Sequence, residues 1–377
     1  MMKERKYMNL QKPKKVIISG GGTGGHIFPA LAIANSLRKL SPGIKILFVG
    51  AEDRMEMEKV PAAGYDIVGL PVAGLNRRHF LKNIAVISRL WRSLRIAGRI
   101  LKDFKPDIVV GVGGYASGPI LRQAAKKGIP LVIQEQNSYA GVTNRLMAKD
   151  ALRIYVAYDE MVRYFPADKI VKTGNPVRQS FDNLNTLKNE ALEFFSLLNG
   201  KPVVLVLGGS LGAGTINRSL ADNIQAVIDS DGQWIWQTGS NYFEDINALV
   251  SVTSAANIRV TGFISRMDYA FAAADVIISR AGAGTISELC IVGKPVILVP
   301  SPNVAEDHQT RNAMALAGRN AAILIPDENA VEKLVPETIR LLGDSDKRKL
   351  LSDNISLMAE RDADIKIAGD ILELIKR

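Results

Sequence analysis

Residues 16–30 read VIISGGGTGGHIFPA, and this stretch decides the fold. The β-branched run at residues 16–19 predicts a short buried strand, and the glycines after it predict a tight turn. The apolar periodicity of roughly residues 27–40 predicts a helix, which Ser41-Pro42-Gly43 closes. A strand, a Gly-rich turn and a helix in this order form the opening unit of a doubly wound α/β domain.

The same pattern recurs along the first half of the chain. Near-continuous apolar runs stand at residues 44–50, 108–114 and 130–133. Strands that are buried on both faces of a parallel sheet have this composition. The first half is therefore predicted to be a doubly wound α/β domain.

The pattern restarts after Asn185. An apolar run at residues 202–207 leads into GGSLGAG at 208–214, and a helical stretch begins at about residue 215. Later strands are predicted at residues 234–237, 258–260, 276–279, 295–299 and 322–325. Two halves that each open in this way predict two Rossmann-like domains, with a boundary near residues 174–176.

Composition excludes several classes of protein. The chain has 377 residues, of which 47% are hydrophobic and 23% charged, as in ordinary globular proteins. It has no uncharged apolar run of about 18 residues, so no transmembrane helix is expected. The basic start is not followed by the apolar region of a secretory signal. One cysteine, Cys290, suits a reducing cytosol, and with three histidines it makes a Cys/His metal cluster improbable.

Charge is distributed unevenly. Residues 1–178 carry 30 Lys and Arg against 13 Asp and Glu, a balance of +17, and the remainder carries 18 against 25, a balance of −7. Nine basic residues lie between Arg77 and Lys105. This half is expected to meet an anionic surface, for which nucleic acid and anionic membrane are both candidates.

The basic stretch also contains apolar residues. On a helix, Arg92, Arg95, Arg99 and Lys102 fall on one stripe, and apolar side chains from Ile87 to Leu101, with Leu90 and Trp91 among them, fall on another. Apolar and basic residues mix ahead of the helix, which favours attachment to anionic lipid. The alternative is the solvated face of a core helix. The residues of the predicted docking surface are Leu75, Arg77, Arg78, Phe80, Leu81, Lys82 and Ile84.

The first Gly-rich turn has two interpretations. Gly20-x-Gly22-x-x-Gly25 matches the dinucleotide-binding fingerprint, but the acidic residue expected about 20 positions later is poorly supplied, because Glu52 and Asp53 come late. A plain structural turn is the alternative. His26 follows the turn, and an imidazole with its ordinary pKa of about 6.5 is either a base or a packing residue at the start of the helix.

Other turns offer polar groups to a ligand. GGYASGP at 113–119 and QEQN at 134–137 each follow a strand, and they fit either a sugar site or ordinary connecting turns. The sharpest motif is SRAGAGTISE at 279–288, where small residues let a phosphate approach the backbone at a helix start. Glu288 lies one turn after Gly284, so its carboxylate could accept hydrogen bonds from ribose hydroxyls; the alternative is a capping role.

With these motifs, the chain closely resembles the MurG family, the bacterial N-acetylglucosaminyltransferases that convert lipid I to lipid II in peptidoglycan synthesis. The matching motifs span almost the whole chain: GGTGGHIFPA at 21–30, GGYASGP at 113–119, QEQN at 134–137, TGNPVR at 173–178, GGSLGA at 208–213 and RAGAGTISE at 280–288. Their order and spacing together are specific, although each alone is not.

The resemblance implies a GT-B fold, in which two Rossmann-like α/β domains face a cleft. Residues 1–175 would form the domain that binds the acceptor and docks on the membrane, and residues 176–354 the domain that binds the donor UDP-GlcNAc. A C-terminal helix over about 355–377 would pack back on the first domain. The acceptor would be lipid I (undecaprenyl-diphosphate-MurNAc-pentapeptide), and the protein would lie peripherally on the cytoplasmic face of the inner membrane, on anionic lipid.

The resemblance also implies site residues and an inverting transfer to the 4-hydroxyl of MurNAc. His26 would be the catalytic base. No metal, no cofactor and no nucleic acid are expected. Gln134, Leu211, Ala281 and Gly284 depart from the family pattern, so no role is transferred to Gln134 or Leu211. The expected donor contacts are Thr23, Gly24, Gly25, Asn137, Arg178, Ser210, Ile264, Ala283, Gly284, Thr285, Ile286, Ser287, Glu288 and Gln309.

Three competing functions stay open from the sequence. An NAD(P)-dependent oxidoreductase would use the first Gly-rich turn. A different GT-B enzyme, such as a diacylglycerol glycosyltransferase or a nucleotide-sugar epimerase, would share the scaffold. A non-enzymatic lipid-binding protein would use only the basic stretch.

Overall fold

A computed structural model describes residues 13–72, 83–177, 184–209, 211–253, 255–302 and 307–376. The chain divides into two compact units. The first unit comprises residues 1–135, 140–176 and 362–377, and the second comprises residues 136–139 and 177–361.

The first unit is built on a parallel sheet, which has seven strands in the described part of the chain, in the order β3-β2-β1-β4-β5-β6-β7. The strands are β1 (Lys15–Ser19), β2 (Lys45–Ala51), β3 (Asp66–Leu70), β4 (Ile108–Gly111), β5 (Leu131–Glu135), β6 (Arg153–Val156) and β7 (Ile170–Lys172). The order reverses between β1 and β4, which pair in parallel from Val16 with Ile108 to Ser19 with Gly111. Turns after these two strands therefore flank the switch point where such sheets bind ligands.

Helices cover both faces of this sheet. They are α1 (Gly24–Leu40), α2 (Glu56–Ala62), α3 (Asn83–Phe104), α4 (Ser117–Lys126) and α5 (Val142–Met147), with 3-10 turns at Met161–Arg163 and Ala167–Lys169. One core layer packs α1 against the strands, and the other packs α3, α4 and α5 against the opposite face. Because both faces are covered, the strands are apolar without alternation, as the sequence predicts.

The second unit repeats this architecture. Its described strands form a parallel sheet in the order β10-β9-β8-β11-β12-β13, with the switch point between β8 and β11. The strands are β8 (Val203–Leu207), β9 (Gln233–Gln237), β10 (Ile258–Thr261), β11 (Val276–Ser279), β12 (Val296–Leu298) and β13 (Ile323–Leu324). The predicted α/β class with two Rossmann-like folds is confirmed.

The helices of the second unit lie between and after these strands. They are α6 (Lys188–Phe194), α7 (Gly214–Asp222), α8 (Ile224–Asp229), α9 (Phe243–Thr253), α10 (Met267–Ala273), α11 (Ala283–Val292), α12 (His308–Ala317), α13 (Ala330–Gly343) and α14 (Ser345–Ser356), with 3-10 turns at Leu184–Leu187 and Asp327–Asn329. Two core clusters, one on each face of the sheet, hold them in place.

The last helix, α15 (Ala363–Lys376), belongs to the first unit and packs against α1. Its buried face places Ile367 and Ile371 in the core layer of α1. Two carboxylates anchor it: Asp364 accepts from the buried Ser36 hydroxyl, and Asp370 accepts from Tyr155 Oη at 2.8 Å. The helix begins later than residue 355, because α14 ends at Ser356 and a non-helical segment separates the two.

The buried residues of helix α3 match the predicted apolar stripe only in part. Ala97 and Leu101 are buried against the sheet, and Arg92, Arg95, Arg99 and Lys102 are exposed as predicted. Leu90 and Trp91 were assigned to the apolar stripe, but they are 46% and 65% exposed. They lie in the first half of the helix, where the described helices leave that face uncovered. In the described residues, none of the helices is both long and apolar enough to cross a bilayer.

Candidate active site

In the first unit, the turn after β1 presents a helix N-terminus. Helix α1 begins at Gly24, and the exposed Thr23 is its N-cap residue, with extended backbone. The Thr23 carbonyl accepts from the His26 N–H at 3.1 Å, and Thr23 Oγ1 lies 3.1 Å from His26 Nδ1. The imidazole of the half-buried His26 is therefore held by the residue that caps its own helix.

The turn after β4 closes against the same histidine. A Cβ on Gly113 would lie 2.8 Å from His26 Cδ2 and 3.0 Å from His26 Nε2, and Gly113 has φ +94°. Gly114, with φ +84°, packs against the Gly21 carbonyl. Only glycine meets both the backbone conformation and the space at these positions. The two Gly-rich turns at this switch point thus pack on each other and enclose one side of the imidazole.

Polar residues follow β5, as the sequence predicts. Gln134 is fully buried and donates to Asn175 Oδ1 at 3.1 Å, so its side chain faces the interior of the unit. The buried Glu135 carboxylate accepts from the Gly141 N–H and from Asn144 Nδ2, each at 2.9 Å, and this fixes the next turn. Asn137 is half-buried in the short segment that groups with the second unit.

In the second unit, α11 begins directly after the turn that follows β11. Gly284 lies in the first turn of α11, and a Cβ there would meet no protein atom within 4 Å. A glycine inside a helix costs roughly 0.5–1 kcal/mol relative to alanine, and no neighbouring protein atom requires this one. Thr285 and Glu288 are half-buried, so both side chains reach the surface of the unit. An open helix N-terminus of this kind favours an anion.

Two of the predicted contact residues on α11 can offer a ligand only their backbone groups. Ala283 and Ile286 are buried in the core of the second unit. Ser287 Oγ donates to the Ala283 carbonyl at 3.1 Å. Ile264 is likewise buried, so a ligand would meet its backbone groups rather than its side chain.

Side chains from other elements brace the turn before α11. Gln309 Oε1 accepts from the Ala281 N–H at 3.2 Å and from the Ser301 N–H at 2.9 Å, so its amide oxygen ties the turn after β11 to the turn after β12. The Arg280 guanidinium donates to the Val299 carbonyl at 3.1 Å and pairs with Asp327.

The pair of Arg280 and Asp327 is shielded from solvent. The two side chains are 19% and 17% exposed. Asp327 also accepts from Thr215 Oγ1 at 2.9 Å, which connects the pair to the start of α7. Arg280 thus bonds to an internal carboxylate and to backbone carbonyls, and these bonds hold the turns after β11 and β12 together.

The Gly-rich turn after β8 is packed mainly against protein. A Cβ on Gly208 would lie 2.7 Å from the Gln237 carbonyl oxygen, and one on Gly214 would lie 2.7 Å from Tyr242 Oη. Leu211 is exposed. These glycines let the turn pack closely against its protein neighbours. Part of the glycine content of this motif therefore has a structural reason, although such a motif otherwise indicates a phosphate site.

Some predicted site residues lie outside the described residues. These are Arg178 and Ser210 among the donor contacts, and Leu75, Arg77, Arg78, Phe80, Leu81 and Lys82 in the docking surface. The backbone of Ile84 lies in α3. Within the described ranges, no group of three or more His, Cys, Asp or Glu residues is placed to hold a metal ion.

Sequence reasoning missed the residues that hold these turns from behind. Glu56, Arg280 and Asp327 make the bracing contacts, and none of them belongs to a predicted role. Glu56 stands among Glu52, Asp53 and Glu58, so composition alone cannot single it out. Asp327 could have been noticed from the sequence, because it is a carboxylate just beyond the strand predicted at residues 322–325.

Known proteins resemble the chain over most of its length. Residues 16–156 match the glycosyltransferase family 28 N-terminal domain, and residues 203–366 match the family 28 C-terminal domain. A protein of Parabacteroides distasonis is 55% identical over 96% of this chain and 99% of its own length. One from Porphyromonas gingivalis is 53% identical over 96% of each chain. Both are called UDP-N-acetylglucosamine--N-acetylmuramyl-(pentapeptide) pyrophosphoryl-undecaprenol N-acetylglucosamine transferase.

Solved structures share the fold. The crystal structure of Acinetobacter baumannii MurG superposes with a TM-score of 0.75 at 29% identity, over 96% of this chain and 100% of that one. A UDP-GlcNAc 2-epimerase from Neisseria meningitidis, bound to UDP-GlcNAc, superposes with a TM-score of 0.67 at 15% identity, over 96% and 100% of the two chains. The second likeness concerns the fold alone.

Proposed function

The chain belongs to glycosyltransferase family 28 and, within it, to the MurG transferases, and from this we propose which of its residues carry the reaction. It is a glycosyltransferase that moves N-acetylglucosamine from UDP-N-acetylglucosamine to N-acetylmuramyl-(pentapeptide) pyrophosphoryl-undecaprenol, which converts lipid I to lipid II. In the proposal, the second unit binds the donor, and the first unit binds the acceptor and supplies the base.

The start of α11 carries the donor proposal. Its N-terminal N–H groups and helix dipole favour the UDP diphosphate, and Gly284 lets the phosphates approach without meeting a side chain. As the glycosidic bond breaks, negative charge grows on the departing UDP, and fixed N–H groups stabilise that charge without reorganising. Arg178, which lies outside the described residues, would add a bidentate contact to the same diphosphate.

Glu288 and Gln309 supply the recognition of hydroxyl groups. Glu288 lies one helical turn beyond Gly284, so its carboxylate can accept hydrogen bonds from ribose hydroxyls. The oxygen of Gln309 is held by two backbone N–H groups, and its amide nitrogen would donate to a sugar oxygen. Backbone groups at the buried Ile264 would contact the uracil.

His26 is the proposed general base for the acceptor hydroxyl. When His26 Nδ1–H donates to Thr23 Oγ1, Nε2 is the basic nitrogen, and Nε2 lies beside Gly113 at the switch point of the first sheet. The base removes the proton of the MurNAc 4-hydroxyl as that oxygen attacks the sugar carbon. Inversion at that carbon gives a β-1,4 linkage.

The His26→Ala variant tests this assignment. It should fold and bind UDP-GlcNAc with unchanged affinity in calorimetry, because most of the expected donor contacts lie in the second unit. Turnover with lipid I should fall roughly 10²–10⁴-fold, the usual contribution of a general base. Near-native turnover between pH 6 and pH 9 would reject the base, and a loss confined to the KM for the acceptor would make His26 a positioning residue instead.

Peripheral attachment to anionic lipid is the second part of the proposal. The described part of α3 exposes Arg92, Arg95 and Arg99, together with Leu90 and Trp91. Cations beside exposed apolar side chains suit the headgroup region of an anionic bilayer, where each cation contributes about 1 kcal/mol. The proposed location is the cytoplasmic face of the inner membrane, where this surface would meet the acceptor lipid.

A further inference from the structure

We propose that Glu56 is a positioning residue for the transfer reaction: its buried carboxylate fixes the Gly-rich turn after β1 and thereby holds His26 in its working orientation. The inference rests on the proposed role of His26. It concerns a residue of α2 that lies behind the site, within the same unit.

Glu56 is fully buried, and its carboxylate is bonded to two separate pieces of backbone. Its Oε1 accepts from the Ala51 N–H at 2.9 Å and from the Gly22 N–H at 3.1 Å, and its Oε2 also accepts from the Gly22 N–H at 3.2 Å. One carboxylate thus ties the end of β2 to the middle of the turn after β1. A buried carboxylate is stable only with such donors, because an unpaired one would suffer a large desolvation penalty.

The backbone around Glu56 is shaped to admit it. A Cβ on Gly50 would lie 2.6 Å from Glu56 Cγ, and a Cβ on Gly21 would overlap Glu56 Oε1. Two glycines in different segments therefore leave room for this one side chain. A side chain at either position would displace the carboxylate, so both glycines are needed for Glu56 to occupy this place.

The path from Glu56 to the base is short. Gly22, which the carboxylate holds, precedes Thr23, and Thr23 contacts His26 through both its carbonyl and its hydroxyl. On the opposite side, Gly114 packs on the Gly21 carbonyl. The turn after β1 therefore contacts both Glu56 and the turn after β4. These two contacts fix the backbone from which the His26 side chain projects.

This contact also bears on the dinucleotide-binding fingerprint. In such a fingerprint, backbone N–H groups of the turn face a pyrophosphate. Here the Gly22 N–H already faces an internal carboxylate, which would repel a phosphate placed on that side of the turn. The Gly22 N–H is therefore part of the scaffold that holds His26 and does not face a dinucleotide.

A double-mutant cycle with radiolabelled donor tests the proposal on the full-length enzyme. Glu56→Gln keeps the shape of the side chain but replaces one accepting oxygen with an NH2 group. The Gly22 N–H then loses one of its two accepting oxygens. We expect kcat to fall about 10- to 100-fold, as for a small misplacement of a catalytic group, with unchanged UDP affinity. In the His26→Ala background, the same change should cost less than about 3-fold, because the group that it positions is absent.

Glu58→Gln is the matched control, since Glu58 lies on the same helix with an exposed carboxylate. It should leave kcat unchanged. Glu56→Asp, which keeps the charge but is too short to reach both N–H groups, should reproduce the loss and serves if Glu56→Gln does not fold.

The outcomes separate the two proposals. Equal losses from Glu56→Gln in both backgrounds, or no loss in the wild type, would overturn the role of Glu56 while leaving His26 in place. Failure of both Glu56 variants to fold would also overturn it, because the role would then be structural. Near-native turnover of His26→Ala would instead remove the base assignment, and the Glu56 proposal would fall with it.

Discussion

At the scale of single residues, Glu288 is proposed to bind the ribose of the donor nucleotide on the same helix that would receive the phosphates. The helical repeat places its side chain one turn beyond the open N-terminus of α11. In the proposal, a ribose bonded to Glu288 would bring its attached diphosphate toward Gly284, so one helix would contact two parts of the nucleotide.

Replacing Glu288 by alanine should weaken UDP binding. The loss of a charge-assisted pair to the ribose should cost about 1.5–3 kcal/mol of binding free energy, measured by calorimetry with UDP. Glu332→Ala removes an exposed carboxylate of α13 in the same unit and should leave the affinity unchanged. An unchanged UDP affinity in Glu288→Ala would contradict the ribose assignment.

Residues that would touch a ligand were predictable, and the residues behind them were not. Thr23, His26 and Glu288 stand in or beside turns whose glycine content is conspicuous in the sequence. Glu56 and Asp327 bond to groups that are remote in the chain. Glu56 accepts from the backbone of Gly22, 34 residues away, and Asp327 accepts from the side chains of Arg280 and Thr215. Such contacts depend on the order of strands in the sheet, which local patterns do not encode.

At the scale of elements, the turn before α11 depends on the pair of Arg280 and Asp327. Asp327→Asn should lower the stability of the second unit by about 1–3 kcal/mol, since Arg280 would keep a shielded charge with a weaker partner. UDP affinity should fall with it, because the turn loses a brace. The measurement is denaturant unfolding together with UDP calorimetry.

Glu328→Gln is the control for this change. It removes the same charge from the next residue along the chain, which is exposed. Equal stabilities of the Asp327 and Glu328 variants would show that the pair contributes nothing measurable.

Helix α15 should stabilise the first unit although it ends the chain. Ile371→Ala empties a fully buried position between α15 and α1 and should cost about 2–5 kcal/mol. Hydrogen exchange read by mass spectrometry should then quicken in α1 and β1 and stay unchanged in α11. Glu373→Ala, on the exposed side of α15, should change neither. Faster exchange in the second unit alone would refute the packing.

Element prediction from the sequence succeeded where strands are buried on both faces. The strands β1, β8 and β11 follow their apolar runs within a residue. By contrast, β3, β6 and β7 were not predicted. β3 and β7 are the edge strands of the sheet, and each of the three runs begins or ends with a charged residue that interrupts the apolar pattern. Leu90 and Trp91 obey the periodicity of α3 but lie where no described element covers the helix.

At the scale of the whole molecule, the charge asymmetry should produce reversible binding to anionic membranes. The wild type should co-sediment with liposomes that contain phosphatidylglycerol, but not with neutral liposomes, and should detach as salt rises, because the surface field decays within about 8–10 Å. An Arg77/Arg78/Lys82→Ser triple variant should bind more weakly. The matched control is a Lys201/Lys333/Lys349→Ser triple variant, which removes the same charge from the acidic half and should bind as the wild type does.

Two results would contradict the docking surface. Either the wild type would ignore lipid charge, or the two triple variants would bind equally well. A duplex-binding assay at the same ionic strength separates lipid from nucleic acid, which could use the same cations.

The whole molecule transfers N-acetylglucosamine from UDP-N-acetylglucosamine to lipid I. The most direct measurement is UDP release by the wild type across a matrix of donors and acceptors, with the lipid product identified by mass spectrometry. We expect UDP release with UDP-GlcNAc and lipid I together, a product that is heavier than lipid I by one N-acetylhexosamine, and near-background release when diacylglycerol replaces lipid I. Release with diacylglycerol but not with lipid I, or no sugar on the polyprenyl product, would contradict it.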